Sequence, residues 1–310
     1  MDRIRSDIFE KFEVRKSYKQ KTAFIQWVKE RCEEQGIACR VEEGGIFRSR
    51  NIILGDAENA EVLFTAHYDT SARMPFPNLI FPKNFLLTFL LQFLFIVPFF
   101  AAIIGAAVGA LLLVDSFLLY IAVLYAGLFV FLWLLMAGPA NPHTANDNTS
   151  GTVAVLRIMA QLKEGKAAAV LFDHEELGLV GSSLFYKKYK VACRDKLVLN
   201  LDCVSDGGHL LFVAKKKAVN DVRFAAFRAR VENTAAARGK NTVFCTDRQA
   251  MYPSDQAHFP LGVGVAACNK MKFFGLYLGR IHTARDTVFD EENMAALEEA
   301  AVRFVQEDLQ

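Results

Sequence analysis

From Asn84 to Val114 the chain carries no Asp, Glu, Lys or Arg, and from Ser116 to Asn146 it again carries none, so Asp115 alone separates two strongly apolar runs. A helix needs about 20 apolar residues to cross a hydrocarbon core of roughly 30 Å, and Phe117 to Ala137 meets that need before Gly138 and Pro139 end it. The first run is longer than one crossing requires and contains Pro98, which predicts a tilt, a kink, or an interfacial start around Phe85 to Leu91. Helices without a polar face have nothing to offer water. The runs are therefore expected to form a transmembrane hairpin that meets the lipid bilayer through residues 85–137. A helical hairpin buried in a soluble core and a patch lying on a membrane surface are the other packings open to such runs. The same runs account for a hydrophobic share of 53% and for 27 Phe in 310 residues. Lys plus Arg number 36 against 34 Asp plus Glu, a formal charge of +2. That balance leaves no basic field to hold a nucleic-acid backbone, so nucleic acid is not an expected partner.

Met1 to Lys21 is rich in Arg, Lys and Glu and lacks the apolar core of a secretory signal, so the chain is expected to start in the cytoplasm. A two-span hairpin returns to the side it left, and its tip at Asp115 and Ser116 carries no Lys or Arg, as suits a translocated loop. The protein is thus expected to be integral to the cytoplasmic membrane, with its soluble part facing the cytoplasm. Six cysteines, Cys32, Cys39, Cys193, Cys203, Cys245 and Cys268, form no CxxC pair. They fit a reducing compartment and read as small buried side chains.

With the hairpin set aside as an insertion at residues 75–139, residues 1–74 and 140–310 read as one α/β domain. Lys19 to Gln35 places Phe24, Val28 and Cys32 on one helical face, with Gly36 as the stop. Strands are expected at Asn51 to Leu54, Glu61 to Ala66, Ala167 to Phe172, Leu197 to Leu201, Leu210 to Val213, Val243 to Cys245, Val263 to Ala267 and Phe273 to Leu278. Helices are expected at Thr149 to Leu162, Val180 to Tyr189 and Asn220 to Glu232. A last helix carries Met294, Leu297, Ala301 and Phe304 on one stripe.

Acidic and histidine residues stand where several of these strands end. His67 and Asp69 are two apart along extended chain and so share a side; one can bind a metal while the other steers it. Asp147 precedes a helix and reads equally as an N-terminal cap. Glu175 and Glu176 follow a buried strand, where two adjacent carboxylates repel unless cations or protons compensate; a solvated acidic turn is the other reading. Asp202 ends the strand Leu197 to Leu201, and His282 follows the last apolar strand. All lie on the carboxyl-end rim of one sheet, where open α/β folds hold ligands.

The ordered set AHYD, DNTSG, EELGLVGS, NLD and HTARDT resembles the co-catalytic zinc aminopeptidases, a family that includes glutaminyl cyclases and glutamate carboxypeptidases. The resemblance covers nearly all the chain outside the insertion and the first dozen residues. It implies a mixed, mainly parallel central sheet flanked by helices and two Zn2+ ions. His67 and Asp202 would hold one ion, Glu176 and His282 the other, and Asp147 would bridge them. Glu175 would be the general base and Asp69 a catalytic-site partner of His67. The implied activity is a metallo-exopeptidase removing N-terminal residues from peptides. A glutaminyl-cyclase-like acyltransferase with a single zinc, or a membrane protein keeping the fold only for binding, are the alternatives. Two features depart from the family. The whole hairpin separates His67 from Asp147, which puts the insertion at the rim of the site. The segment Tyr252 to Phe259, YPSDQAHF, resembles a pocket-lining Ser-Asp-His stretch but has Gln256 in third place. His143, His174, His209 and His258 read as solvated or structural, Asp286 as a turn residue or an orienting group, and Lys215 to Lys217 as a solvated strand end.

Overall fold

Short apolar runs with no polar face fit strands covered on both sides, and in the computed structural model β2 (Ser49–Leu54), β3 (Val62–His67), β4 (Ala167–Phe172) and β5 (Leu197–Leu201) are buried at every residue. The structure describes residues 2–162 and 165–309. Ahead of β2 come α1 (Asp2–Lys11), α2 (Tyr18–Glu34) and β1 (Cys39–Gly44). The hairpin helices α3 (Phe85–Val114) and α4 (Phe117–Met136) separate β3 from α5 (Gly151–Gln161). Helix α6 (Val180–Lys188) joins β4 to β5, and β6 (His209–Ala214), α7 (Lys216–Val219), α8 (Val222–Ala237), β7 (Asn241–Thr246), β8 (Leu261–Met271), β9 (Gly275–Tyr277) and α9 (Glu291–Arg303) complete the chain.

The sheet runs β1-β2-β4-β3-β5-β8-β6-β7, with β9 on β8. It is mixed: β3 pairs in parallel with β4 and β5, β5 with β8, and β6 with β7, while β1/β2, β2/β4, β6/β8 and β8/β9 are antiparallel. In register, His67 lies beside Phe172 and Phe64 beside Leu199, so β4, β3 and β5 end along one edge. Helices α5, α8 and α9 cover one face through Val153, Phe227 and Leu297, with Phe304 just beyond α9; α6 covers part of the other, where Phe185 and Phe259 meet Phe172. Helix α2 opens with a reciprocal Ser17–Gln20 cap and buries Phe24, Val28 and Cys32, the face its spacing predicts.

Two elements escape the sequence pattern. Helix α1 is charge-dense but inserts Ile4 and Ile8 into the core, and β1 is a half-buried edge strand reading CRVEEG, so neither has the apolar run that marks the others. The expected strand Phe273 to Leu278 is shorter, because Phe273 and Phe274 form the turn into β9. Lys216 and Lys217 open α7 rather than end a strand. All six cysteines are free; Cys39 is half-buried at the start of β1 and the rest are buried.

Helices α3 and α4 are 30 and 20 residues long. Asn84 caps α3, left-handed Asp115 ends it, and Ser116 caps α4. The two pack closely at Gly127, where a Cβ would come within 2.7 Å of Ile103. Ala107 and Phe131 are their only fully buried residues, and among the described residues none between 85 and 136 joins the clusters of the sheet core. Both are long and apolar enough to cross a membrane. The hairpin leaves the sheet through a narrow stem: Ala72 bridges Ala140, Arg73 N–H donates to Pro139 O at 2.8 Å, and Asn141 N–H donates to Ser71 O at 3.0 Å.

Candidate metal centre

Parallel strands deliver most of the site. His67 is the last residue of β3, Asp202 directly follows β5, and the turn after β4 carries Glu175 and Glu176. That turn is bracketed by left-handed His174 (φ 55°) and Leu179 (φ 60°), conformations that non-glycine residues hold only when their surroundings impose them. Asp147 lies in an irregular turn, Ala145–Ser150, ahead of α5, and His282 comes from the loop after β9.

These residues converge. His67 Nε2 lies 3.2 Å from Asp147 Oδ1 and 3.5 Å from Asp202 Oδ1; His282 Nε2 lies 3.0 Å from Asp147 Oδ2 and 3.5 Å from Glu176 Oε2. Ligand atoms of His67, Asp147 and Asp202 fall within 4.8 Å of one another, as do those of Asp147, Glu176 and His282, and those of His67, Glu175 and Glu176. Asp147 therefore turns one oxygen to each histidine. Asp69 serves two purposes: its carboxylate accepts the backbone N–H groups of Glu175 at 3.0 Å and Glu176 at 3.4 Å, while His67 Nδ1 faces its main-chain oxygen at 3.2 Å and its Oδ1 at 3.5 Å. It both aims the imidazole and holds the glutamate turn.

The charges are badly matched without a cation. Burial drives the Glu175 carboxyl well above its ordinary range; His67 opposes this, and Glu176, Asp202 and Asp255 add to it. Burial and the charge of Asp147 push Glu176 up to about 8 against the pull of His282. His282 is the mirror case, disfavoured as a cation by burial yet raised to about 9 by Glu176 and Asp147. Asp147 Oδ2 and Glu176 Oε1 are buried without a hydrogen bond, so the 3.0 Å approach of His282 to Asp147 is not aligned as one. Imidazole nitrogens and carboxylate oxygens crowded around shared space, with orphaned oxygens among them, fit divalent zinc.

An outer layer fixes these groups. Asp286 accepts the backbone N–H groups of Asn146 at 2.8 Å and Asp147 at 2.9 Å, so it orients the Asp147 turn. Tyr252 OH donates to Asp202 O at 3.0 Å. Arg15, wholly buried, donates to Tyr68 O at 2.5 Å and to Thr149 Oγ1 at 3.1 Å, and its backbone N–H donates to Thr70 Oγ1 at 2.8 Å. It thus clamps the chain entering the hairpin to the chain leaving it. Lys21 Nζ meets Asp173 Oδ1 at 2.5 Å, both buried, beneath the glutamate turn. Gln256 turns inward, accepting from Asn200 Nδ2 at 3.0 Å and donating to Tyr252 O at 2.6 Å. It braces the fold, and its neighbour Asp255 is fully buried with no ion pair among the described residues.

Sequence reasoning passed over three of these. Lys21 stands three residues before Phe24 on the buried face of α2, and a lysine there signals a buried acid. Asp255 was overshadowed by Gln256. Arg15 lies in a stretch with no pattern of its own. His143, His174, His209 and His258 stand outside all three ligand groups.

The family model that matches is that of peptidase family M28, over residues 132–305, more than half of the chain. The chain belongs to peptidase family M28. The matched stretch takes in Asp147, Glu175, Glu176, Asp202 and His282, while His67 and Asp69 lie before it, across the hairpin. Solved structures share the M28 chain's fold. Glutaminyl cyclase of Porphyromonas gingivalis is 16% identical, with 99% of this chain and 98% of that one covered and a TM-score of 0.61. Glutaminyl cyclase of Fimbriiglobus ruber is 14% identical, with 98% and 94% covered and a TM-score of 0.58. A leucine aminopeptidase precursor of Bacteroides thetaiotaomicron is 12% identical, with 98% and 94% covered and a TM-score of 0.56. No sequence among curated proteins matches the chain. Family and fold together place the His67–Asp147–His282 cluster on an M28 peptidase scaffold.

Proposed function

We propose that the chain is an aminopeptidase using two zinc ions, anchored in the cytoplasmic membrane by residues 75–139, with residues 1–74 and 140–310 forming its catalytic domain on the cytoplasmic side. His67 and Asp202 would hold one ion and Glu176 and His282 the other, with Asp147 available to both. The observation that carries this reading is the placement of Asp147, with one oxygen 3.2 Å from His67 and the other 3.0 Å from His282, beside Glu175.

Zinc, when bound, supplies a Lewis acid for the scissile carbonyl and lowers the pKa of water. Glu175 takes the proton from the attacking water as its oxygen bonds to the carbonyl carbon, and returns a proton to the amine as the C–N bond breaks. Asp69 keeps the Glu175 backbone and the His67 ring in place for that transfer. The stem at Ala72 and Ala140 sets the mouth close to the bilayer, and the substrate class is peptides with a free amino terminus near or on the membrane.

The test is release of amino acids from unblocked and from acetylated peptides, with and without a chelator. Cleavage confined to unblocked peptides and abolished by chelation is expected. Glu175→Gln should retain its zinc and lose at least about a hundredfold in kcat; an unaltered kcat would remove Glu175 as the base. Ring closure of N-terminal glutamine with one bound ion per chain would instead mark a cyclase.

A further inference from the structure

Helix α3 is longer than a membrane needs. Thirty residues extend about 45 Å at 1.5 Å per residue, some 15 Å beyond a hydrocarbon core of roughly 30 Å, whereas the 20 residues of α4 match that core. The excess is at the start of α3. Phe99 and Phe100 pack on Phe131, near the end of α4, with ring centroids 5.5 Å apart in both pairs, so the turns before them run on past the end of α4. Pro98, which cannot donate to a carbonyl one turn back, sits at this junction.

These first turns are amphipathic in the reverse sense. Thr88 and Gln92, four apart on one face, turn to the segment that leads into the helix and packs on the catalytic domain through Ile80 and Phe81: Thr88 Oγ1 accepts from Phe81 N–H at 2.8 Å, and Gln92 Nε2 donates to Asn78 Oδ1 at 2.9 Å. The rest of the helix surface exposes Phe85, Leu86, Phe89, Leu90, Phe93 and Leu94, each more than half accessible. A helix lying on a protein in water turns its polar face outward. This one does the opposite.

The surface continues onto the catalytic domain. The β8–β9 turn presents Phe273, 84% exposed, and Phe274, 52% exposed, and Phe81 joins this turn to α3, its ring 6.2 Å from that of Phe274 and 5.9 Å from that of Tyr277. Lys83 and Lys272, both exposed, flank the patch, with Lys272 Nζ 5.6 Å from the Phe273 ring centroid. Aromatic rings rimmed by lysines suit the boundary between acyl chains and anionic headgroups.

We infer that the first turns of α3 and the β8–β9 turn form a membrane-interface surface of the catalytic domain, distinct from the spanning part of the hairpin, with the headgroup–acyl boundary of a phospholipid bilayer as its occupant. The inference rests on the hairpin being in a membrane and adds a second contact that sets how the domain sits against it.

The test uses the full chain reconstituted in vesicles of phosphatidylcholine and phosphatidylglycerol brominated near the carboxyl end of the acyl chains, with one indole per protein. Trp27→Phe leaves Trp133 in the hairpin as the reference. Phe273→Trp and Val191→Trp, each with Trp27→Phe and Trp133→Phe, report on the β8–β9 turn and on an exposed site outside the patch. The Phe273→Trp indole is expected to be quenched at least about half as strongly as Trp133, and the Val191→Trp indole not at all. Quenching of Trp133 with none at Phe273→Trp overturns this inference alone, whether its emission is that of an indole in water or of one covered by protein. An unquenched Trp133 removes the hairpin from the membrane and this surface with it.

Discussion

Burying a charge is costly unless a partner stays with it, and the Lys21–Asp173 pair is a case in which each member exists for the other. Asp173 also accepts the backbone N–H groups of Arg50 at 3.0 Å and His174 at 2.9 Å, so it holds β2 and the glutamate turn together. Lys21→Met would leave that carboxylate without its cation and is expected to lower stability by about 3 to 5 kcal/mol, read from urea unfolding. Arg15 is another buried cation, and among the described residues it makes no ion pair: burial lowers its pKa to about 10, while Asp69, Glu13 and Asp147 favour its charge from a distance. Main-chain carbonyls and the Thr149 hydroxyl take its hydrogens instead. It stays charged at neutral pH and contributes a positive field beneath an acidic centre.

The first turn of α5 presses against β5 so tightly that a Cβ on Gly151 would come within 2.0 Å of Leu201 O. Gly151→Ala must push that turn, and Asp147 ahead of it, away from Asp202. The expected result is a loss of about 2 to 3 kcal/mol in stability and weaker zinc binding, measured by unfolding and by titration of the metal-free protein. Here the difference between pattern and structure has a physical reason. Strands β4 and β5 and helices α2, α5 and α6 were legible because burial on a known face leaves a period in the sequence. Asp147 read as a possible cap because a residue in an irregular turn leaves none; what identifies it is the approach of His67 and His282 from distant parts of the chain. Edge strand β1 and charge-dense α1 were illegible for a related reason, since each contributes only a few residues to the core. Gln256 stood out as a departure in a pocket-like segment, yet its side chain is spent on Asn200 and Tyr252.

Taken whole, the molecule is an M28 peptidase fold whose chain leaves the sheet after β3 as a helical hairpin and returns beside its own exit. Segment Phe76 to Phe81 lies between the two parts, packing Phe76 on Phe95 and Phe99 and bridging Ile80 to Leu278. Replacing residues 74–138 with a short turn between Arg73 and Pro139 is expected to keep zinc stoichiometry while lowering Tm, because Tyr277 and Leu278 lose their cover. If the bilayer supplies substrate, that form should also lose at least about tenfold of the preference for apolar over polar peptides that the vesicle-bound protein displays; an unchanged ratio in a competition assay would show that selectivity resides in the pocket alone. The bridge between Ala72 and Ala140 has one more implication. A segment whose two ends leave side by side is a cassette in geometry: a change of its length or tilt beyond that doorway is expected to leave the register of the strands behind it unaltered.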